Sequence, residues 1–145
     1  MTKKTLFGSI KIRVVMEKQP TYKVSNNADI NKKYAWLKDE LKEHFYTVFL
    51  NGKNRIIGDK LICLGTSKAS IVDIQDIART ALLTNTQAVI LIHNHPSGEP
   101  DASTDDYNVT QNIKKALALF EIKVLDHIII GKKACISMSE TGMLK

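Results

Sequence analysis

Two unbroken apolar runs constrain this chain more than any other feature. Phe45-Tyr46-Thr47-Val48-Phe49-Leu50 and Ala88-Val89-Ile90-Leu91-Ile92 are continuous stretches rich in aromatic and β-branched residues. A strand with one wet face alternates apolar and polar residues, whereas continuous runs read as central strands buried on both faces. Such strands need a layer on each side, and the chain supplies amphipathic helices to provide it. After the cap-type residues Ser25 to Asp29, Ile30, Tyr34, Leu37 and Leu41 recur at helical spacing and predict a helix ending near Lys42. Asp73 caps a second helix reaching Thr84, with Ile74, Ile77, Ala78, Ala81 and Leu82 inward. Ser103 caps a third, whose apolar side runs Val109, Ile113, Leu117 and Phe120. Further strands are expected where Ile10, Ile12, Val14 and Met16 alternate, over Arg55 to Leu64 after a turn at Asn51-Gly52, over Ile122 to Ile130, and over Ala134 to Met138 beyond a turn at Gly131. The economical architecture is α/β (α+β): one mixed β-sheet flanked by helices.

A length of 145 residues is that of one domain. With 43% hydrophobic and 25% charged residues, the chain is neither disordered, collagenous nor a coiled coil. No apolar run is long enough to span a bilayer and the first residues lack an apolar signal core, so a cytoplasmic protein without membrane attachment is expected. Cys63 and Cys135 lie in apolar contexts with no CxxC, which predicts buried structural thiols in a reducing compartment and excludes a zinc ribbon. The net charge of +6 is uneven: residues 1–55 hold 12 Lys and Arg against 5 Asp and Glu, and the remainder 9 against 10. That excess is either a solvated face or an attraction for an anionic partner such as nucleic acid.

The chemistry gathers where the second apolar run ends. His93 and His95 are two apart, so in extended backbone both imidazoles project to the same side. Pro96, Gly98 and Pro100 force a compact loop, and Asp106 follows eleven positions after His95 in the first turn of the next helix. Two histidines and one carboxylate leave one position open on a metal, the arrangement of a catalytic zinc site. Taken singly these residues have plainer readings: Asp106 as a capping acid, Ser103 as an N-cap whose hydroxyl alternatively serves an oxyanion. There is no HExxH, and no H-x-E followed by a cysteine pair, so thermolysin-type proteases and nucleotide deaminases are excluded by ligands.

The stretch His93-Asn94-His95-Pro96-Ser97-Gly98, followed by Ser103 and Asp106, resembles the JAMM metalloprotease motif in the form found in RadC-like bacterial proteins. Asn54-Arg55-Ile56-Ile57, Gly65-Thr66, and Asp126-His127-Ile128-Ile129-Ile130-Gly131 with Ser137 and Gly142 also resemble that family. The resemblance covers residues 25–145, with 1–24 as a basic segment carrying a strand of the same domain. It is to the short, single-domain form without an N-terminal helix-hairpin-helix region. It implies the JAB/MPN fold, related in architecture to the cytidine deaminases, with one zinc ion per chain. It also implies a glutamate just ahead of a central strand, which Glu43 matches; a zinc-activated water needs such a general base.

On this resemblance His93, His95 and Asp106 bind zinc, Glu43 moves a proton from water to a leaving amine, and Ser103 stabilises the oxyanion. His44 and His127 are assigned to the core, with a supporting place behind the ligands as the alternative for His127. The implied function is a zinc-dependent JAMM-type hydrolase acting on an amide or isopeptide bond of a protein or peptide. A second reading is a nucleic-acid-binding module of DNA repair or anti-restriction type, docking through basic residues 1–55 with the metal site secondary. A third is a zinc-stabilised scaffold without turnover.

Overall fold

The computed structural model describes residues 13, 15–65 and 71–145. In chain order its elements are α1 (Asn27–Tyr34), a 3-10 turn (Ala35–Asp39), β1 (Glu43–Leu50), β2 (Ile56–Gly65), α2 (Ile74–Leu83), β3 (Ala88–Asn94), α3 (Thr104–Ala118), β4 (Lys123–Ile130) and β5 (Cys135–Ser137). The strands form one mixed sheet in the order β2-β1-β3-β4-β5. The β3–β4 pair is parallel, joined by the α3 crossover, and the other neighbouring pairs are antiparallel. This is the α+β architecture the sequence predicts.

The central runs are covered on both sides. Every residue of β3 is buried. Val48, Leu50, Ile90, Ile92, Ile128 and Ile130 face α1 and the 3-10 turn, packing on Ile30, Tyr34 and Leu37. Phe45, Phe49, Val89, Leu91 and Val124 face α2 and α3, packing on Ile77, Ala81, Ile113 and Leu117. Burying each such side chain contributes about 1.5–3 kcal/mol relative to leaving it in water. Both α1 and α3 begin with a reciprocal capping box, Asn26 with Asp29 and Ser103 with Asp106, which satisfies two of the otherwise orphaned N–H groups at each start.

Several expected details differ. The helix predicted through Lys42 stops at Tyr34 and tightens into the 3-10 turn. In a 3-10 turn residues three apart eclipse, which keeps Tyr34 and Leu37 on the core face. Glu40 then turns extended so that the chain can enter β1, and Leu41 is left 93% exposed beside the sheet end. Helix α3 stops at Ala118, so Phe120 falls outside the apolar stripe and is half exposed; Leu82 lies off the Ile77–Ala81 line and is likewise exposed. Neither thiol is deeply buried. Cys63 is half-buried, and Cys135 is exposed because it opens the short edge strand β5. The strand predicted over Ile10 to Met16 lies largely outside the described residues, as does Thr66; Val15 and Met16 are exposed.

Candidate metal centre

Ligand sites in open α/β sheets form beyond the carboxyl ends of strands, where backbone direction and loop geometry leave a crevice. Here β3 delivers His93 on its α3-facing side. Its ring is fully buried and stacks on Phe45 of β1, with centroids 5.8 Å apart. His95 follows after the strand. The loop holds it through its backbone N–H, which donates to the Ile130 carbonyl at 3.0 Å, and through a turn closed by Gly98 N–H donating to the His95 carbonyl at 2.9 Å. Gly98 has φ +91°, left-handed backbone that glycine adopts without strain. Asp106 comes from the first turn of α3, where the capping box fixes it. Its Oδ2 accepts from the Ser103 N–H at 2.8 Å, and Ser103 Oγ accepts from the Asp106 N–H at 3.0 Å.

These placements bring three donors together. His93 Nε2 lies 3.1 Å from Asp106 Oδ1, His95 Nε2 lies 3.2 Å from Asp106 Oδ2, and the two Nε2 atoms are 2.8 Å apart. His93, His95 and Asp106 thus form a compact triad able to hold a metal ion. A tetrahedral zinc with bonds of about 2.0–2.1 Å spaces its ligand atoms about 3.3 Å apart, so small outward shifts of this triangle accommodate the ion. His95 Nδ1 is 2.8 Å from the Glu99 carbonyl, which only accepts, so Nδ1 carries a proton; Nε2 faces Asp106 and is the lone pair a cation would meet once its own proton is displaced.

The electrostatics match that geometry. The hydrogen bond with Asp106 holds the His95 imidazole above the ordinary histidine value, against the opposing effect of burial. Burial by itself pushes the Asp106 carboxyl up, but its contacts with His93 and His95 outweigh it and hold the group well below the usual carboxylate range. Asp106 is therefore charged at neutral pH, and the triangle could hold a cation.

Glu43 reaches the same crevice from a different element. Antiparallel pairing sets Phe45 opposite His93, which carries the start of β1 toward the end of β3. Glu43 and His95 line one groove of about 440 Å³, together with Leu41, Lys42, Gly65, Pro96 and Ser97. Exposed Leu41, expected in the core, is a wall of that groove. Ser103 is exposed at the N-cap, its hydroxyl oxygen already accepting one hydrogen bond. His44 is half-buried, bonded through Nδ1 to the Lys42 carbonyl at 2.8 Å and stacked on Tyr46, outside the donor triad.

Two further residues support the site, and of these the sequence offered only His127, as the alternative to a core role. Asn94 reaches across to the start of β1, where its Oδ1 accepts from the His44 N–H at 2.7 Å and its Nδ2 donates to the Lys42 carbonyl at 3.0 Å. The side-chain amide continues the ladder by one step and grips the backbone on either side of Glu43. His127, assigned to the core, is fully buried as expected, but its Nε2 is 2.7 Å from His93 Nδ1.

A family model for the RadC-like JAB domain matches residues 24–143. The chain belongs to the RadC-like JAB domain family. Among its RadC-family relatives, a UPF0758 protein of Pelodictyon phaeoclathratiforme is 42% identical over 106 residues, covering 73% of this chain and 48% of that protein. A UPF0758 protein of Methanosarcina mazei is 35% identical over 128 residues, covering 88% of this chain and 56% of that protein. The chain spans about half the length of the curated relatives it matches. The wider JAB family includes metallohydrolases, and the His93–His95–Asp106 triad lies within the matched span of this RadC-like chain. Among the described residues no helix is long and apolar enough to cross a membrane.

Proposed function

We propose that this RadC-like chain is a zinc-dependent hydrolase that cleaves an amide or isopeptide bond in a protein or peptide. The observation that carries the reading is the convergence of His93 Nε2, His95 Nε2 and an Asp106 carboxylate at 2.8–3.2 Å beside a groove that His95 and Glu43 both line. When bound by these three residues, zinc supplies Lewis acidity, which makes water a nucleophile near neutral pH. Glu43, fixed at the head of β1 by the Asn94 bridge, takes the proton from the attacking water and returns it to the leaving amine. Ser103 keeps its Oγ–H free for donation while its oxygen caps α3, so the same hydroxyl can offer a hydrogen bond to the developing oxyanion. On this reading an extended peptide segment lies in the groove lined by Leu41 and Pro96.

Metal analysis of the purified protein, with variants, tests this directly. The expected result is about one zinc per native chain, loss in His95→Ala, and full retention in Glu43→Gln, whose side chain is not a ligand. Against a library of fluorogenic peptide and isopeptide probes, Glu43→Gln should abolish turnover and Ser103→Ala should lower kcat by about 10²–10³. A native chain that takes up no zinc after reconstitution would sink the proposal.

A further inference from the structure

Behind His93 runs a chain of buried hydrogen bonds that ends on another ligand of the same triad. His93 Nδ1 meets His127 Nε2 at 2.7 Å; His127 Nδ1 meets Thr110 Oγ1 at 2.5 Å; Thr110 Oγ1 meets the backbone carbonyl of Asp106 at 2.6 Å. All three side chains are fully buried, so water cannot substitute for any of these partners.

The direction of every proton follows from the far end. A carbonyl oxygen only accepts, so the Thr110 hydroxyl must donate to Asp106. Thr110 Oγ1 is then left to accept, and His127 Nδ1 must carry the proton it receives. A neutral His127 consequently presents a bare Nε2, which accepts from His93, so His93 holds its proton on Nδ1. That leaves His93 Nε2 as a lone pair facing Asp106 and His95, the form a metal requires. The other histidine reaches the same tautomer by a separate route, through the Glu99 carbonyl.

Resting on the metal reading above, we infer that His127 and Thr110 are positioning residues that lock His93 into its metal-binding tautomer and tie it to Asp106. The link is mechanical as well as electronic. His93 lies on β3, His127 on the parallel neighbour β4, and Thr110 one turn after Asp106 on α3. The three elements that must hold station for the ion are therefore joined through one buried ring of contacts. Phe45 closes its open side, stacked on His93 and edge-on to His127 with centroids 5.4 Å apart. Partners of this kind behind a metal ligand typically change affinity by about 10–100-fold when removed.

Zinc affinity by competition with a chromophoric chelator, together with long-range proton–nitrogen NMR of the imidazoles in the metal-free protein, tests the inference. Wild type should show His93 and His127 both protonated on Nδ1. Thr110→Val, which keeps the shape but removes the hydroxyl, should mix the tautomers of both rings and weaken zinc severalfold. Thr110→Ser should restore both readings, and His127→Phe should weaken zinc by about 10–100-fold. Circular dichroism confirms which variants are folded; should His127→Phe not fold, the two Thr110 variants decide. A folded Thr110→Val protein with wild-type affinity and unchanged tautomers would overturn the inference while leaving the metal site standing. Wild-type protein that takes up no zinc would overturn both.

Discussion

Replacing Gly131 with alanine should weaken the metal site from outside it. Gly131 follows β4 and adjoins the loop that carries His95, and a Cβ there would lie 2.4 Å from the Gly98 carbonyl oxygen, 3.0 Å from the Ala134 carbonyl oxygen and 3.0 Å from Pro100 Cδ. Non-bonded heavy atoms settle at about 3.5–4.0 Å, so Gly98 must retreat by roughly 1 Å. Two of the three obstacles are backbone and cannot rotate away. Overpacking of this kind costs about 1–3 kcal/mol. For a chain of this size each kcal/mol lowers Tm by about 2–4 °C, so a fall of about 2–12 °C is expected. Gly98 is also the residue that closes the turn on His95 and accepts the Lys132 N–H at 3.1 Å, so its retreat drags His95 with it. Metal–ligand distances tolerate only about 0.2 Å, and zinc affinity should therefore fall by about tenfold or more. Calorimetry and chelator competition read the two effects. Gly52→Ala is the control: the nearest atom to its Cβ would be 3.8 Å away, and its stability should stay within about 0.5 kcal/mol. Wild-type stability and zinc affinity in Gly131→Ala would show that the loop is not held by this contact.

Asn94→Ala removes the partners of the His44 N–H and the Lys42 carbonyl and should cost about 2–4 kcal/mol. Hydrogen exchange at the His44 amide should quicken while that of Ile90, deep in β3, stays slow; equal protection in both proteins would count against the bridge. The metal-free protein should show a stability contribution that peaks near the ordinary histidine value of 6.5. Complete burial, with His93 alongside, depresses His127 well below 6.5, so between those values the unfolded chain binds the extra proton and stability falls on acidification. Asp106 raises His95, so above 6.5 the folded chain holds the extra proton and stability falls as pH rises through the raised value. Urea midpoints across pH should trace both limbs, and His127→Phe should lose the part of the acid limb that lies above the usual carboxylate range, where Asp106 does not contribute; an unchanged limb there in that variant would rule out His127 as its source.

The layered sheet was legible because the burial demanded by Phe45–Leu50 and Ala88–Ile92 is a local property of composition. The donor triad was legible because strand end, tight loop and helix N-cap each leave a short-range signature around His93, His95 and Asp106. Leu41 misled, since a helical period cannot reveal that the chain must leave the helix at Glu40 to enter β1. Cys135 misled for a related reason: apolar neighbours do not say that a strand lies at a sheet edge.

His127 is the clearest case of the divide. Its sequence context, Asp126-His127-Ile128, specifies a buried strand residue, with a place behind the ligands only as the alternative and no partner named. Its partners stand 34 and 17 positions away, on elements brought beside it only by the parallel β3–β4 pairing and the α3 crossover. Gly131 is similar: its sequence suggests a turn, while the reason it must be glycine is a carbonyl 33 positions earlier. Which atoms could bind a cation and which strands must be covered is readable along the chain, because side-chain chemistry and periodicity are written residue by residue. Which nitrogen of His93 carries its proton, how Glu43 is gripped, and what leaves no room for a methyl group emerge only on folding. Those depend on atoms distant in the chain meeting within 3 Å, and no local pattern encodes that.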